Sequence, residues 1–350
     1  MKFATYASAF ALAAGGLLLA GQADARDQIR IVGSSTVYPF TTAVAEQFGK
    51  TSGMKTPVVE STGTGGGMKL FCAGVGENHP DATNASRRMK KSEFEQCQKN
   101  GVKDVVEIVV GFDGISVAQS KQGPAMKLTL AQLYQAIAKE VPGPGGKLVA
   151  NPNKNWSDID KSLPAIKIEV LGPPPTSGTR DALHELLLEH GAASIPALAA
   201  LKKSDRKAFD KAWKSLREDG AYIEAGENDN LIVQKLVANK DAFGIFGYSF
   251  LEENSAKLRG ASLNGVEPTY ENIADGKYPG SRRLYFYIKK QHVGLVPGLD
   301  KFAAEYVSSK AMGEDGYLAK KGLVTLPKKE ADMIRQNATG LKPMTADPLS

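Results

Sequence analysis

The chain is poor in the residues that build metal and redox centres. Two cysteines and four histidines are spread over 350 residues. His79, His184, His190 and His292 stand apart from one another and from the cysteines, so no cluster has metal-ligand spacing. Beyond residue 25 there is no stretch of ~20 consecutive apolar residues, which argues against a later membrane span. No basic stripe with interleaved aromatics occurs, which argues against a nucleic-acid partner. Nucleotide motifs are missing as well. In "GTGGGMKL" the last glycine is followed by Met68 rather than Lys, and Lys69 by Leu70 rather than Ser or Thr. The segment gives no Gly-x-Gly-x-x-Gly fingerprint either. Ser177 does not sit in a Gly-x-Ser-x-Gly elbow, so a serine hydrolase gains little support. No internal repeat of fixed period is present.

The first 25 residues read as a secretory signal peptide. Lys2 supplies a positive start, Ala7 to Ala20 is mostly small and apolar, and Ala23-Asp24-Ala25 fits a cleavage site before Arg26. No cysteine lies near that site, which argues against a lipoprotein. The formal net charge is +6, and removing residues 1–25 takes away Lys2 and Asp24, so it does not change. The basic residues are spread along solvated faces such as "LKKSDRKAFDKAWKSLRED". A modest positive field of this kind helps collect an anion. About 325 residues remain, enough for two domains with their own cores. Cys72 and Cys97 are 25 positions apart, and in an exported protein this favours one local disulfide.

Strand and helix patterns alternate along the chain. "QIRIV" (28–32), "TPVVE" (56–60), "AIKIEVLG" (165–172) and "LYFYIKK" (284–290) read as strands. "VVEIVVGFDGISVAQ" (105–119) is a longer strand pattern broken by Gly111 and Gly114. Phe40, Val44 and Phe48 form a helical stripe. Leu183, Leu186, Leu187 and His190 form another, closed by Gly191 as a C-cap. Such alternation predicts an α/β fold with largely parallel sheets. The C-terminal "GLKPMTADPLS" reads as a poorly ordered tail.

Three times a strand pattern runs into a short Gly/Ser/Thr loop and then a helix. The loops are Ser34-Ser35-Thr36, Thr64-Gly65-Gly66-Gly67 and Ser177-Gly178-Thr179. Helix starts expose unpaired N–H groups and the positive dipole end. Hydroxyls add donors, and glycines let a ligand approach the backbone. One such loop is more often an N-cap than a ligand contact. Three in one chain, one beside Arg180 and another near Ser86-Arg87, predict a nest for a tetrahedral oxyanion. An arginine there adds a charge-assisted, two-pronged contact.

"GSSTVYPF", "ESTGTGGGMKLFCAG", "NASRRMKKSEF", "GFDGIS", "GPPPTSGTRDAL", "AGENDNLIVQKL" and "AFGIFGYSFLE" together resemble the periplasmic phosphate-binding component of the phosphate-specific ABC transporter, in its proteobacterial branch. The likeness covers nearly all of the chain after residue 25. It implies a two-lobed periplasmic binding protein of type II, with a ligand cleft between lobes joined by two crossovers. It implies capture of inorganic phosphate in the periplasm and delivery to an inner-membrane ABC permease, by a monomer with no cofactor and no catalysis. Ser35 and Thr36 match the family's first phosphate loop, and Thr64 the second. Ser86 matches a further serine, and Ser177, Gly178 and Thr179 match the Ser-Gly-Thr element of the second lobe.

The chain departs from the family at two places. Many members carry Arg and Asp just before Ser-Gly-Thr, where Pro173 and Pro175 stand here, and Arg180 follows instead. Many also carry Asp after the serine matching Ser86, where this chain has Arg87. The carboxylate that accepts the phosphate proton is therefore open among Asp113, Asp181 and Glu224, with Asp113 first because it lies near the expected crossover. The expected division is residues 27–112 with 250–350 as one lobe and 113–249 as the other. The alternative from another class is an exported phosphatase on a similar scaffold.

Overall fold

The computed structural model describes residues 26–350 except 176, 227, 228, 348 and 350. The expected leader, residues 1–25, lies outside the described residues. The first lobe opens with strand β1 (Arg30–Gly33), whose Ile31 and Val32 are buried. Helix α1 (Tyr38–Ser52) follows, started by Pro39 in its first turn and stopped by Gly53 in the left-handed region. Its stripe of Phe40, Val44 and Phe48 is buried as the periodicity predicts. Strand β2 (Val58–Ser61) leads into helix α2 (Thr64–Phe71), and β3 (Ala82–Ala85) is buried throughout. Helix α3 (Lys91–Lys99) carries Cys97, which is disulfide-bonded to Cys72 at the end of α2.

One strand ties the halves together. β4 (Val105–Ser120) spans both sheets. Its first half pairs antiparallel with the return strand Ser281–Lys289, which itself pairs antiparallel with β3. Its second half pairs antiparallel with strand Phe243–Gly247. Beyond these, β2-β1-β3 on one side are parallel, as are Phe243–Gly247, Val170–Gly172 and Tyr222–Glu224 on the other. The sheets are thus parallel on their flanks and antiparallel at the centre, where the chain crosses between lobes and comes back. This is a mixed α/β, two-lobed architecture.

Four sequence expectations change shape here. Gly111 and Gly114 do not break β4. The pairing slips by one residue at Val110, opposite the Leu284/Tyr285 step, as a bulge that bends the strand between lobes. At Gly111 a Cβ would lie 2.8 Å from the Val324 carbonyl oxygen. Strand Leu258–Gly260, assigned to the first lobe by the sequence division, pairs with the second half of β4. The chain comes back alongside the first half only at Ser281. Gly191 does not cap its helix, which runs on to Ala193. A Cβ on it would meet the Leu130 carbonyl oxygen at 2.3 Å, so the glycine serves close packing. Finally, the C-terminal segment packs on the protein: the Met344 N–H donates to the Val105 carbonyl, and Leu349 is buried.

Each lobe has an aromatic centre. Phe48, Phe286, Phe302 and Tyr306 stack edge to face or tilted in the first. Trp156 packs on Phe243 at 5.0 Å in the second. Full burial of a side chain of this kind contributes about 1.5–3 kcal/mol. These cores make rigid bodies of the strand ends that carry the loops.

Candidate functional site

The first two loops follow the C-terminal ends of neighbouring parallel strands. β1 lies between β2 and β3, so Gly33, Ser61 and Asn84 end side by side. Ser34 Oγ accepts the Val37 N–H at 3.4 Å at the start of α1, whereas the hydroxyls of Ser35 and Thr36 are not spent on capping. α1 has no side-chain N-cap bond, and neither has α2. Instead Thr36 Oγ1 accepts from Arg282 Nη2 at 2.8 Å, and Ser35 Oγ donates to Asp181 on the opposite lobe. Ser177 does ordinary capping, accepting from the Thr179 N–H at 3.2 Å. The helix it opens runs from Gly178 to Ala193, with a π-helical stretch at Leu183–Leu188.

The loops of the two lobes meet at a cleft of about 390 Å³. Ser35 and Thr36 line it from the first lobe, Ser177, Gly178 and Thr179 from the second, and Asp113 from β4 between them. A Cβ on Gly178 would stand 3.3 Å from Thr36 Cα, so the lobes approach closely there. Six of the ten residues expected at the site are thus brought together. Lys321 and Asp229 also line the cleft.

Thr64 and Ser86 are held to each other. Their hydroxyls are 3.0 Å apart, and the Ser86 N–H donates to Thr64 Oγ1 at 3.1 Å. They stand beside the first loop but do not line the cleft. Arg87 makes a two-pronged pair with Glu93 at 2.7 and 2.9 Å. Glu93 also accepts the Lys90 N–H, so Arg87 fastens the start of α3. Arg180 points away from the cleft, into the second lobe. It donates to the Pro173 carbonyl at 2.8 Å, Tyr222 Oη at 3.2 Å and His184 Nε2 at 2.9 Å, and its guanidinium lies over the Tyr222 ring. The expectation that Arg180 grips the anion is not what the structure places: after three prolines the helix start turns its fourth residue inward. Glu224, the third proton-acceptor candidate, sits with Arg180 at 3.4 Å. Asp181, the second, accepts from Ser35.

Arg282 does not itself line the cleft but contacts two residues that do, Asp113 and Thr36. It stands opposite Asp113 in the strand register, with Nε 3.3 Å from Asp113 Oδ2. Nη2 reaches Thr36 and Nη1 pairs with Glu185 of the second-lobe helix. Sequence reading passed over "GSRRLYFYI" because it saw only the strand. Strand alternation was the available signal. Two arginines at the edge of a period-two pattern must face opposite ways, and Arg283 indeed turns to the Phe112 ring and Glu330.

Burial makes Asp113 a more basic carboxyl than usual. Its side chain is 14 % exposed. Burial pushes its carboxyl above the usual carboxylate range, Arg282 pulls it down, and the Glu185 charge pushes it up again. On the far side of the helix, burial and then the Arg180 charge depress His184 to about 4, so its imidazole stays neutral.

A profile of the PBP superfamily domain matches residues 20–310. Protein SphX of Synechococcus elongatus is 32 % identical over 265 residues, covering 74 % of this chain and 67 % of the relative. Phosphate-binding protein PstS of Staphylococcus saprophyticus is 28 % identical over 337 residues, covering 94 % and 90 %. The crystal structure of a possible phosphate binding protein from Planctomyces limnophilus superposes with a TM-score of 0.71 at 28 % identity, over 90 % of this chain and 98 % of that one.

Proposed function

Because the chain belongs to the PBP superfamily, among relatives that include PstS and SphX proteins, we propose that it captures inorganic phosphate in the periplasm and hands it to an inner-membrane ABC permease. One observation carries the reading to the site. Hydroxyl loops from both lobes converge on a cleft that also holds a buried carboxyl and, beside it, a guanidinium. Ser35, Thr36, Ser177 and Thr179 offer hydroxyls to the phosphate oxygens, and Gly178 lets one oxygen close on the helix N-terminus. Arg282 supplies the positive charge that Arg180 was expected to bring. Thr64, Ser86 and Arg87 support the first-lobe loops from behind.

Asp113 is the proposed acceptor for the phosphate hydroxyl. At neutral pH phosphate keeps a proton and sulfate keeps none. A carboxylate accepts that proton in a hydrogen bond but repels fully ionised sulfate. The lobes close as a hinge about two crossovers, one at Gly111–Gly114 and one in the 264–280 return. The protein works as a monomer after removal of its leader, with no cofactor and no chemical step.

Calorimetric titration with inorganic phosphate checks this. One site saturating at micromolar concentration or below is expected, and no uptake at millimolar phosphate would overturn the reading. Release of nitrophenol from nitrophenyl phosphate tests the second reading, an exported phosphatase. None is expected.

A further inference from the structure

Glu185 stands one turn after Asp181 on the helix that opens at Gly178. Both carboxylates reach across to the first lobe. Asp181 takes the Ser35 hydroxyl, and Glu185 takes Arg282 Nη1. Glu185 lies inside the π-helical stretch Leu183–Leu188. A π turn changes the angular step of the helix and is found preferentially where a side chain must be re-aimed for function.

The surroundings make this contact more than a surface ion pair. Arg282 is 11 % exposed, whereas Glu185 is 52 % exposed. Two of the guanidinium's donor positions are already committed inside the protein, Nε to Asp113 and Nη2 to Thr36. The third nitrogen, Nη1, is the one Glu185 holds. An anion drawn to Arg282 meets Glu185 at that donor, and an oxyanion and a carboxylate have the same appetite for a guanidinium. The Glu185 charge is also felt at Asp113 and at Arg87. Its half-exposed position leaves room for the side chain to move into solvent.

We propose that Glu185 is an internal competitor of the anion: its carboxylate holds the Arg282 donor that phosphate uses, and it gives way when phosphate binds. This rests on the phosphate reading and deepens it. Glu185 sets affinity by competing rather than by touching the ligand. The same ion pair joins the second-lobe helix to the return strand, so it also ties the lobes together.

The test compares wild type, Glu185→Gln, Glu185→Ala and a control, Glu189→Gln. Glu189 is on the same helix but pairs with Lys202 and Arg206 within the second lobe. Each protein is titrated with inorganic phosphate by calorimetry, and its radius of gyration is measured by X-ray scattering after exhaustive dialysis against phosphate-free buffer. Both Glu185 variants should bind phosphate about two- to fivefold more tightly, the scale of releasing one partly exposed ion pair. Both should also expand relative to wild type in phosphate-free buffer, and Glu189→Gln should do neither. Unchanged or weaker phosphate binding in both Glu185 variants would overturn the proposal, the weaker case making Glu185 a ligand contact. If the wild type takes up no phosphate, the phosphate reading itself has failed. The scattering comparison then stands alone: expansion upholds the tie, and its absence overturns it.

Discussion

Truncating two arginines should separate folding from binding. Arg180 is 8 % exposed and donates to four partners, the Pro173 carbonyl, Tyr222 Oη, His184 Nε2 and the half-exposed Glu224 carboxylate. In Arg180→Ala the Pro173 carbonyl keeps a donor, since Tyr222 Oη lies 2.8 Å from it. His184 Nε2 is the atom left unpaired. One lost charge-assisted hydrogen bond, with the packing of the guanidinium on Tyr222, comes to about 3 kcal/mol of stability. For a chain of this size that lowers the melting temperature by roughly 4–5 °C. Phosphate affinity should change by less than about threefold, because nothing at the cleft moves. Arg282→Ala should do the reverse. Removing the charge-assisted contact to the anion should weaken binding by about 2–4 kcal/mol, or roughly 30- to 1000-fold. Chemical denaturation and calorimetric titration of the two variants decide it. Strong loss of binding in Arg180→Ala with Arg282→Ala unaffected would refute the placement of both side chains.

Other outcomes follow from the same contacts. Asp113→Asn removes the acceptor charge and adds a donor, so the gap between phosphate and sulfate affinity should narrow, whereas Asp181→Asn should leave it; competition titrations at fixed pH and salt read this. Because Asp113 is raised, acid protonates it early and removes its repulsion. Wild-type sulfate binding should therefore be stronger at about pH 5 than at about pH 8. His184 has a folded value of about 4 against 6.5 for an ordinary histidine. Its folded value is depressed, so the stability it contributes is present above 6.5 and is lost as pH falls toward 4. The loss is about 3 kcal/mol, measurable by denaturant unfolding between those limits and smaller in Arg180→Ala. Replacing Cys72 and Cys97 together by serine reopens a loop spanning 25 positions. This should lower stability by roughly 3–4 kcal/mol in the chain-entropy account, read from denaturant midpoints, with phosphate affinity retained.

Much of the scaffold was legible because period and punctuation agree. Phe40, Val44 and Phe48 face one core, and Pro39 and Gly53 bound their helix. Features decided by tertiary contact were not legible. Gly191 looks like a stop signal, but the Leu130 carbonyl passing 2.3 Å from where its Cβ would be is invisible in one dimension. Gly111 looks like a strand end, yet a neighbouring strand carries the ladder through the bulge. At the site, the hydroxyl loops could be read because each follows its own strand locally. The cation could not be read the same way. Arg180 is next to Ser-Gly-Thr in sequence, whereas Arg282 reaches Thr36 from 246 positions away. Proximity in sequence favoured Arg180, and only the register of the return strand against β4 brings Arg282 to Asp113.

The central claim is that a cleft of hydroxyls, Arg282 and Asp113 recognises protonated phosphate and rejects sulfate. The most direct measurement is the ratio of the two affinities for the wild-type protein, by calorimetry at neutral pH and fixed salt. The account predicts phosphate binding at micromolar concentration or tighter, with sulfate weaker by about 1000-fold or more, as expected when a buried carboxylate meets an anion with no proton to give. Equal affinity for the two ions, or tighter binding of sulfate, would contradict it.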